Sequence, residues 1–206
     1  MTRREHVEQA SRLGAATLHE AFERRGDLPA PIRPVGTARV AGPALTVSTL
    51  PGNNLLIHRA LAQAQAGDVL VVALTDAAPE GHDFGYWGDI LTTAAMEKGV
   101  AGLVIDGCVR DVEAIRALGF PVFCRGTAIR GTAKAPVGEV GGTVRIGRID
   151  IARGDLVVGD ADGVVALPAH AVADVLALAA AREDKERGIL DELKKGRTTL
   201  ELYGFP

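Results

Sequence analysis

Aromatic side chains are scarce in this sequence. Phe, Trp and Tyr make up only 4% of its 206 residues, whereas hydrophobic residues of all kinds make up 47% and charged residues 24%. The core must therefore be built from Ala, Val, Leu and Ile, and a stacking platform for single-stranded nucleic acid is disfavoured. The net charge of −3, with basic residues scattered along the chain, also argues against a nucleic-acid binder, whose affinity depends on neutralising phosphates.

Cysteine and long apolar runs are scarce as well. The two cysteines, Cys108 and Cys124, show no C-x-x-C spacing, which argues against a zinc site, and two cysteines do not make a disulfide framework. No apolar run approaches the roughly 20 residues that a membrane-spanning helix needs. The first six residues lead into an amphipathic pattern rather than a signal-peptide core. We therefore expect a soluble, cytoplasmic protein.

The apolar residues that are present alternate between strand and helix patterns. The length favours a single domain over residues 1–206. Short apolar strands separated by amphipathic helices are typical of an α/β core with parallel pairing. The predicted strands of this core are two short strands within 37–49, separated by a kink at Gly42-Pro43, and single strands at 69–74, 101–105 and 122–124. The predicted helices between them are 54–64, 89–98 and 111–118.

The two ends of the chain and the segment before the last helix have different patterns. Apolar residues at helical spacing predict one helix over 5–25. Residues 126–168 are rich in Gly, Val and Thr with frequent turn signals, which predicts short strands, the last two forming a hairpin that turns at 160–163. An Ala- and Leu-rich stretch predicts a helix from about 170 to 195, followed by a tail over 201–206.

A charged cluster follows one of the predicted strands. Asp106 ends the apolar run 101–105, and in the sequence "DGCVRD" Arg110 and Asp111 stand together at the start of the next helix. Ligands of α/β sheets gather beyond the carboxyl ends of strands. Arg110 is suited to gripping a carboxylate, and Asp111 is suited either to binding a divalent cation or to capping the helix beside a surface ion pair. The residues alone leave both interpretations open.

A second candidate, Gly88-Asp89-Ile90-Leu91, opens the preceding helix. The free backbone N–H groups and positive dipole end of a helix favour an anion, and Gly88 lets a ligand approach the backbone closely. Asp89 is either a cap or first-turn acid, or a functional carboxylate. If Gly88 and Arg110 face one pocket, the helix N-terminus and the guanidinium form a two-sided clamp for a small carboxylate. Asp89 and Asp111 would then hold a metal ion.

Other polar residues carry weaker signals. The turn at 51–54 is interpreted as a helix cap rather than a ligand site. His58 and His82 lack a second histidine at metal-binding spacing, so we interpret both as structural or surface residues. Lys134 could in principle form a Schiff base, but nothing in the sequence marks it as desolvated.

Three stretches together resemble the RraA-like family: "PGNNLLIHRALAQAQAGDVLVV", "WGDILTTAAMEKGVAGLVIDGCVRDVEAI" and "GDLVVGDADGVVALP". The most specific element is G-[DE]-x-L followed by a strand that ends in D-G-x-x-R-D. The family contains divalent-metal pyruvate aldolases acting on 4-hydroxy-4-methyl-2-oxoglutarate and 4-carboxy-4-hydroxy-2-oxoadipate, and the regulator of ribonuclease activity A. The resemblance runs from about Gly36 to Pro168. It implies an α/β fold, the RraA-like swivelling β/β/α-type single domain, with N- and C-terminal helices.

The resemblance also implies roles for the charged residues of the two candidate stretches. Asp111 corresponds to the ligand of Mg²⁺ or Mn²⁺ in the aldolases. Arg110 corresponds to the residue that binds the pyruvyl group and polarises its keto oxygen. Asp89 corresponds to the acid that holds a metal-bound water.

The substrate-binding backbone and a residue from a second subunit are implied in the same way. Gly88 and the backbone amides of Ile90 and Leu91 correspond to the place where the aldolases receive the substrate carboxylate. In the family, a glutamate from the C-terminal helix of a neighbouring subunit approaches the metal. Glu186 or Glu183 is the best match for it here.

The activity that the resemblance implies is that of a class II pyruvate aldolase, a lyase that cleaves 4-hydroxy-2-oxo diacids to pyruvate and a second 2-oxo acid, with oxaloacetate decarboxylase as a side activity. The expected partners are a small 2-oxo acid and further copies of the chain in a homotrimer or homohexamer, with no nucleic acid and no membrane. The long C-terminal helix favours this branch. The alternative is a non-catalytic regulator that binds and inhibits a ribonuclease. Asn53, where many members carry Asp, leaves an enzyme for another 2-oxo acid as a third interpretation.

Overall fold

In the computed structural model, which describes residues 2–76 and 78–206, helices and strands alternate through the first part of the chain and strands dominate the part before the last long helix. The helices are α1 (Arg3–Leu13), α2 (Ala15–Ala21), α3 (Leu55–Gln63), α4 (Asp89–Glu97), α5 (Val112–Leu118), α6 (Val172–Lys194) and α7 (Thr199–Tyr203), with a short 3₁₀ helix at Pro79–His82. The strands are β1 (Arg33–Pro34), β2 (Val40–Thr49), β3 (Val69–Leu74), β4 (Gly102–Ile105), β5 (Cys108–Val109), β6 (Val122–Cys124), β7 (Gly126–Thr127), β8 (Gly138–Val140), β9 (Val144–Ile146), β10 (Ile149–Ile151), β11 (Leu156–Asp160) and β12 (Gly163–Leu167). None of the helices among the described residues is long and apolar enough to cross a membrane.

The centre of the main sheet is parallel. Its strands lie in the order β6-β4-β3-β2, with Val69 of β3 between Ala44 of β2 and Gly102 of β4. Every residue of β3 and β4 is buried. A parallel sheet that is covered on both faces requires such continuous apolar strands, which explains why β3 and β4 contain no polar side chain. The kink predicted at Gly42-Pro43 is wrong, because β2 runs without interruption through both residues.

The two ends of this sheet come close to each other. β1 pairs antiparallel with β6 at one end, and the β11–β12 hairpin pairs antiparallel with β2 at the other. The Arg33 guanidinium of β1 donates to the Asp162 carbonyl in the hairpin turn, and the Leu28 N–H donates to the Val164 carbonyl of β12 at 2.9 Å. The protein therefore has a mixed α/β fold with a nearly closed, barrel-like sheet and helices at both termini.

Among the residues that the structure describes, three groups of buried apolar side chains hold the layers together. One group, which includes Leu70 and Ile105, lies between the parallel strands and α3, α4 and α5. A second group lies on the opposite face of the sheet, where Phe123 packs with Ile146 and its neighbours. The third group, which includes Leu18, joins α1, α2 and α6 to the β11–β12 hairpin. Burial of this apolar area is the main stabilising contribution to the fold.

The C-terminal part of the chain mostly follows its prediction. The predicted hairpin is confirmed, with Asp160 opposite Gly163, and so is the long helix, which covers Val172–Lys194. The tail predicted over 201–206 is wrong in part, because α7 occupies much of it. Thr198 caps this helix by accepting a hydrogen bond from the Glu201 N–H at 3.2 Å, in a capping box that the sequence contains.

The N-terminal helix departs from its prediction. The single helix predicted over 5–25 is broken at Gly14, whose φ of 81° lies in a region that favours glycine, and the second piece ends at Ala21. The Asp160 carboxylate accepts a hydrogen bond from the Ala15 N–H at 2.7 Å. This contact from the hairpin turn stabilises the start of α2 and could not be inferred from local sequence.

A buried ion pair lies at the carboxyl end of β4. Asp106 Oδ1 is 2.6 Å from Arg125 Nε, and only 6% of Asp106 is exposed. The Arg125 N–H also donates to the Gly107 carbonyl at 3.0 Å. Asp106 therefore ties the loop after β4 to the loop after β6 and is separate from the Arg110–Asp111 pair.

We expect Asp106→Ala to lower the free energy of unfolding by about 2 to 4 kcal/mol, because it leaves the partly buried Arg125 guanidinium without its partner. Urea unfolding measures this change. Asp150→Ala is the matched control, because it removes the carboxylate of the exposed Arg145–Asp150 pair and should have little effect. Equal losses in the two variants would contradict a special role for Asp106.

Candidate active site

The two predicted halves of the site are joined by backbone hydrogen bonds. An extended segment before α4 runs parallel to β5: the Tyr86 N–H donates to the Cys108 carbonyl at 3.0 Å, and the Arg110 N–H donates to the Trp87 carbonyl at 2.9 Å. These bonds place the start of α4 beside the start of α5, beyond the carboxyl end of β4. Gly88 and Arg110 consequently line the same cleft.

Two glycines make this close approach sterically possible. A Cβ atom on Gly88 would lie 2.2 Å from Asp111 Oδ2. A Cβ atom on Gly85 would lie 3.2 Å from Arg110 Cδ and 2.5 Å from the Ala128 carbonyl oxygen. The side chains of Arg110 and Asp111 therefore lie directly against the backbone that leads into α4.

Asp111 has a left-handed backbone conformation, with φ 56° and ψ 38°, and its carboxylate makes no capping hydrogen bond to α5. The capping interpretation is therefore wrong, whereas the expected ion pair is present, with Asp111 Oδ2 3.5 Å from Arg110 Nε. Oδ2 also accepts a hydrogen bond from the Asp89 N–H at 3.4 Å. Asp tolerates this backbone region better than most residues, and the conformation directs a carboxylate with 38% exposure towards α4.

The N-terminus of α4 presents backbone donors to the cleft. Its N-cap is Gly88, which has no side chain to occupy them, so Asp89 is a first-turn acid rather than the cap. The Ile90 N–H donates to Asp89 Oδ1 at 2.7 Å, and Leu91 lines the cleft beside it. An anion that binds the Ile90 amide must therefore displace the Asp89 carboxylate, which is exposed and can rotate away.

A second wall of the cleft is formed by the segment 131–134, of which Gly131, Thr132 and Lys134 line the cleft. The sequence pointed to Lys134 only as a weak Schiff-base candidate. This segment is held against the turn before α3: the Ala133 N–H donates to the Gly52 carbonyl at 2.7 Å, and the Asn54 N–H donates to the Ala133 carbonyl at 3.2 Å. Lys134 Nζ donates to Asn54 Oδ1 at 2.5 Å. The second wall thus carries a cation that faces the predicted site residues.

The two asparagines of the turn connect the walls of the cleft. The Asn54 side chain does not cap α3, contrary to the prediction for this turn, because its Nδ2 donates to the Tyr86 carbonyl at 2.8 Å while its Oδ1 accepts from Lys134. Asn53 Oδ1 accepts a hydrogen bond from the Ala135 N–H at 3.1 Å. An aspartate could accept the same bond, so the departure from the family pattern at Asn53 preserves this contact.

The two histidines discussed above separate in the structure. His58 of α3 lines the cleft, and burial, followed by the positive charge of Lys134, lowers the pKa of this imidazole. His58 is therefore largely neutral at pH 7. His82 Nδ1 lies 2.7 Å from the Asp106 carbonyl oxygen, away from the cleft, which confirms its structural interpretation. No sequence signal links His58 to Lys134, since they are far apart along the chain.

Buried aromatic side chains support the floor of the cleft. Tyr86 Oη accepts a hydrogen bond from the Gly52 N–H at 2.8 Å and donates to the Gly81 carbonyl, and burial raises the pKa of the phenol. Trp87 Nε1 donates to Thr92 Oγ1 at 2.7 Å. These satisfied polar tips allow two large rings to be buried beneath the Gly88 backbone.

The cleft has a volume of about 310 Å³, which suits a small metabolite. Its charged side chains are two cations, Arg110 and Lys134, and two carboxylates, Asp89 and Asp111. Within residues 2–76 and 78–206, no three side chains of His, Cys, Asp or Glu form a metal-binding group. One or two carboxylates are nevertheless a donor set that fits Mg²⁺, because this ion retains several waters and is often completed by its substrate.

The two glutamates expected to act on a neighbouring subunit lie on α6. Glu186 Oε1 is 2.8 Å from Arg182 Nε, and Glu183 Oε2 is 3.9 Å from Arg187 Nη2. Neither glutamate lines the cleft of its own chain. Their contribution to the site of a second subunit stays a prediction.

The fold and the cleft together define a class of protein: a mixed α/β domain with a small, charged cleft beyond the carboxyl ends of its parallel strands. The model of the RraA-like family, described as Aldolase/RraA, matches residues 15–166. The chain belongs to the RraA-like family, as its sequence motifs indicated.

Individual relatives cover almost the whole chain. A protein of Halalkalibacterium halodurans named "Putative 4-hydroxy-4-methyl-2-oxoglutarate aldolase" is 34% identical over 205 residues, which is 97% of this chain and 96% of the relative. The crystal structure of an uncharacterized protein from Pseudomonas syringae has a TM-score of 0.83 at 30% identity, covering 96% of this chain and 92% of its own. That of Streptomyces coelicolor RraAS2, described as an unusual member of the RNase ES inhibitor RraA protein family, has a TM-score of 0.77 at 29% identity, covering 94% and 96%.

We expect Lys134→Met to raise the pKa of His58, because it removes a nearby positive charge, while burial keeps this pKa below its ordinary value. An NMR titration of the imidazole measures the shift. Lys98→Met removes an exposed lysine that bonds to the Ala62 carbonyl outside the cleft, so it serves as the matched control and should leave His58 unchanged. An unchanged pKa of His58 in Lys134→Met would contradict the placement of Lys134 close to His58.

Proposed function

We propose that this protein is a divalent-metal-dependent aldolase that cleaves 4-hydroxy-2-oxo diacids to pyruvate and a second 2-oxo acid. The observation that carries the proposal is the meeting of the α4 N-terminus, Arg110 and Asp111 in one cleft. The name of the Halalkalibacterium halodurans relative supports the same activity. The proposed assembly is a homotrimer or homohexamer in which Glu183 or Glu186 approaches the cleft of the next subunit.

In the proposed complex, the 1-carboxylate of the substrate lies at the N-terminus of α4. The donors for it are the Leu91 N–H and, once the Asp89 carboxylate has rotated away, the Ile90 N–H. The helix dipole adds to this attraction. The Arg110 guanidinium, packed against the same backbone, donates to the adjacent keto oxygen. Two neighbouring groups of the 2-oxo acid are thereby oriented by two different elements.

The proposed metal site is the carboxylate pair at this end of the cleft, where Asp111 would hold Mg²⁺ or Mn²⁺ with Asp89 close by. When bound, a divalent cation supplies a Lewis acid that stabilises negative charge on the keto oxygen. Arg110 stabilises the same developing charge by its positive charge and its N–H groups.

The proposed reaction breaks the C3–C4 bond of the substrate. The proton of the C4 hydroxyl leaves, the C4–O bond becomes the carbonyl of the second product, and the C3–C4 electron pair moves towards the keto oxygen to give the pyruvate enolate. Asp89 is the proposed acceptor of the proton through a water, and Arg110 stabilises the enolate oxygen. Protonation at C3 then yields pyruvate. Loss of CO₂ from oxaloacetate uses the same electron sink, so we also propose this side activity.

A ribonuclease regulator is the second candidate function. It is favoured by the similarity to Streptomyces coelicolor RraAS2, which is described as belonging to a family of RNase ES inhibitors. Such a regulator would act through its surface rather than through the cleft. Inhibition of a ribonuclease that persists in Arg110→Ala, together with an absence of pyruvate release by the wild type, would favour this function over the aldolase.

With Mg²⁺ or Mn²⁺, we expect the protein to release pyruvate from 4-hydroxy-4-methyl-2-oxoglutarate and from oxaloacetate, and a chelator to abolish this release. A pyruvate-coupled assay measures both. Asp111→Asn should lower turnover about 100-fold or more, because it removes the charge while Asn still tolerates the left-handed backbone. Turnover that a chelator leaves unchanged would overturn the metal assignment, and an absence of pyruvate from all tested acids would overturn the aldolase.

We expect Gly88→Ala to lower kcat/KM for pyruvate release by about 10- to 100-fold, because the added methyl group would meet Asp111 Oδ2 at 2.2 Å and push it away from α4. The same coupled assay measures this loss. Gly142→Ala is the matched control, since its Cβ lies outside the cleft and would meet the end of the flexible Glu139 side chain, and its activity should equal that of the wild type. Full activity of Gly88→Ala would show that the close packing is unimportant.

A further inference from the structure

We infer that Lys134 binds the second carboxylate of the substrate and so makes the cleft selective for diacids over monoacids. This inference rests on the proposed function, because it deepens the substrate class of the same cleft. Lys134 lines the cleft together with Arg110 and Asp111 but comes from the second wall, residues 131–134. It is therefore placed to contact a part of the ligand that Arg110 does not hold.

The position of Lys134 is fixed by contacts on both sides of it in the chain. The Ala133 N–H donates to the Gly52 carbonyl at 2.7 Å, and the Ala135 N–H donates to Asn53 Oδ1 at 3.1 Å. Its own Nζ is held by Asn54 Oδ1, and 95% of Asn54 is buried. The ammonium is thus oriented towards the cleft before any ligand arrives, which reduces the entropy that binding costs.

The charge of Lys134 is not neutralised by the protein nearby. Among residues 2–76 and 78–206, no carboxylate oxygen lies within 4.0 Å of its Nζ, and its partner is the neutral amide of Asn54. Arg110, by contrast, already has Asp111 Oδ2 at 3.5 Å from its Nε. An ammonium with donors to spare in a cleft can bind a carboxylate through charge-assisted hydrogen bonds.

The charged side chains that a single chain contributes to the cleft favour a dianion. Arg110 and Lys134 are balanced by Asp89 and Asp111, so the charged side chains sum to zero before a ligand binds. A divalent cation adds two positive charges. A substrate with two carboxylates cancels both, whereas a substrate with one carboxylate leaves one positive charge uncompensated.

The second wall begins close to Arg110. A Cβ atom on Gly131 would lie 4.0 Å from Arg110 Nη1, so the second wall begins beside this guanidinium. Lys134 follows three residues later, and three extended residues span at most about 10 Å. In the inferred complex, a five-carbon diacid places its keto group at Arg110 and its far carboxylate at the Lys134 ammonium, since both residues line this one cleft.

The test compares the binding of two uncleavable acids of equal size in the presence of Mg²⁺: 2-oxoglutarate, which has two carboxylates, and 2-oxopentanoate, which has a methyl group in place of the second. Calorimetry measures both affinities, and quenching of the single tryptophan, Trp87 in the cleft wall, gives a second readout. The variants are Lys134→Met, Lys134→Arg and, as a matched loss of charge outside the cleft, Lys98→Met.

We expect Lys134→Met to weaken 2-oxoglutarate binding about 10- to 100-fold and to change 2-oxopentanoate binding less than about twofold. Lys134→Arg should keep most of the preference for the diacid, and Lys98→Met should keep all of it. A Lys134→Met variant that loses affinity for both acids equally, or for neither, would overturn the inference. Thermal unfolding of each variant shows that the fold is retained.

The failure of this inference can be told apart from the failure of the proposed function. A wild type that releases pyruvate, with an unchanged diacid preference in Lys134→Met, would remove Lys134 as the specificity residue and leave the aldolase in place. A wild type that releases no pyruvate but prefers 2-oxoglutarate through Lys134 would remove the aldolase and retain the diacid site.

Discussion

Two backbone hydrogen bonds, from Tyr86 to Cys108 and from Arg110 to Trp87, are the constraint on which the candidate site depends. They join the segment before α4 to the residues after β4. In the sequence, these two segments precede different helices. Without this pairing, the anion-favouring N-terminus of α4 and the Arg110–Asp111 pair would be two unrelated features. With it, backbone donors, a guanidinium and two carboxylates meet in a cleft of about 310 Å³.

The packing around this pairing accounts for the unusual residues of the site. Gly88 leaves the space that the Asp111 carboxylate occupies, and the left-handed backbone of Asp111 turns this carboxylate towards α4 instead of α5. Buried neighbours stabilise the left-handed backbone of Asp111, since the side chains of Trp87 and Tyr86 anchor the adjacent segment through hydrogen bonds. The buried core beneath the cleft thus fixes the positions of the charged groups above it.

Two segments of the site could be predicted because each carries a local signal in the sequence. Gly88-Asp89 and Arg110-Asp111 both open helices, and the second pair follows a strand, so helix and sheet physics pointed to both. Lys134, His58 and Asn54 had no such signal. Lys134 lies in a stretch of irregular structure, and its position depends on hydrogen bonds to a turn far away along the chain. Local patterns carry no information about contacts of that kind.

The sequence by itself determined the α/β class, the parallel core strands, the terminal helices and the family, because apolar periodicity and short motifs are local properties of the chain. Only the tertiary structure decided that the predicted N-terminal helix breaks at Gly14, that the sheet nearly closes, and that the Asp111 carboxylate leaves α5 uncapped. It also decided that Lys134 faces Arg110 across one cleft. These outcomes depend on which distant segments pack together, and that choice is made by the buried core as a whole.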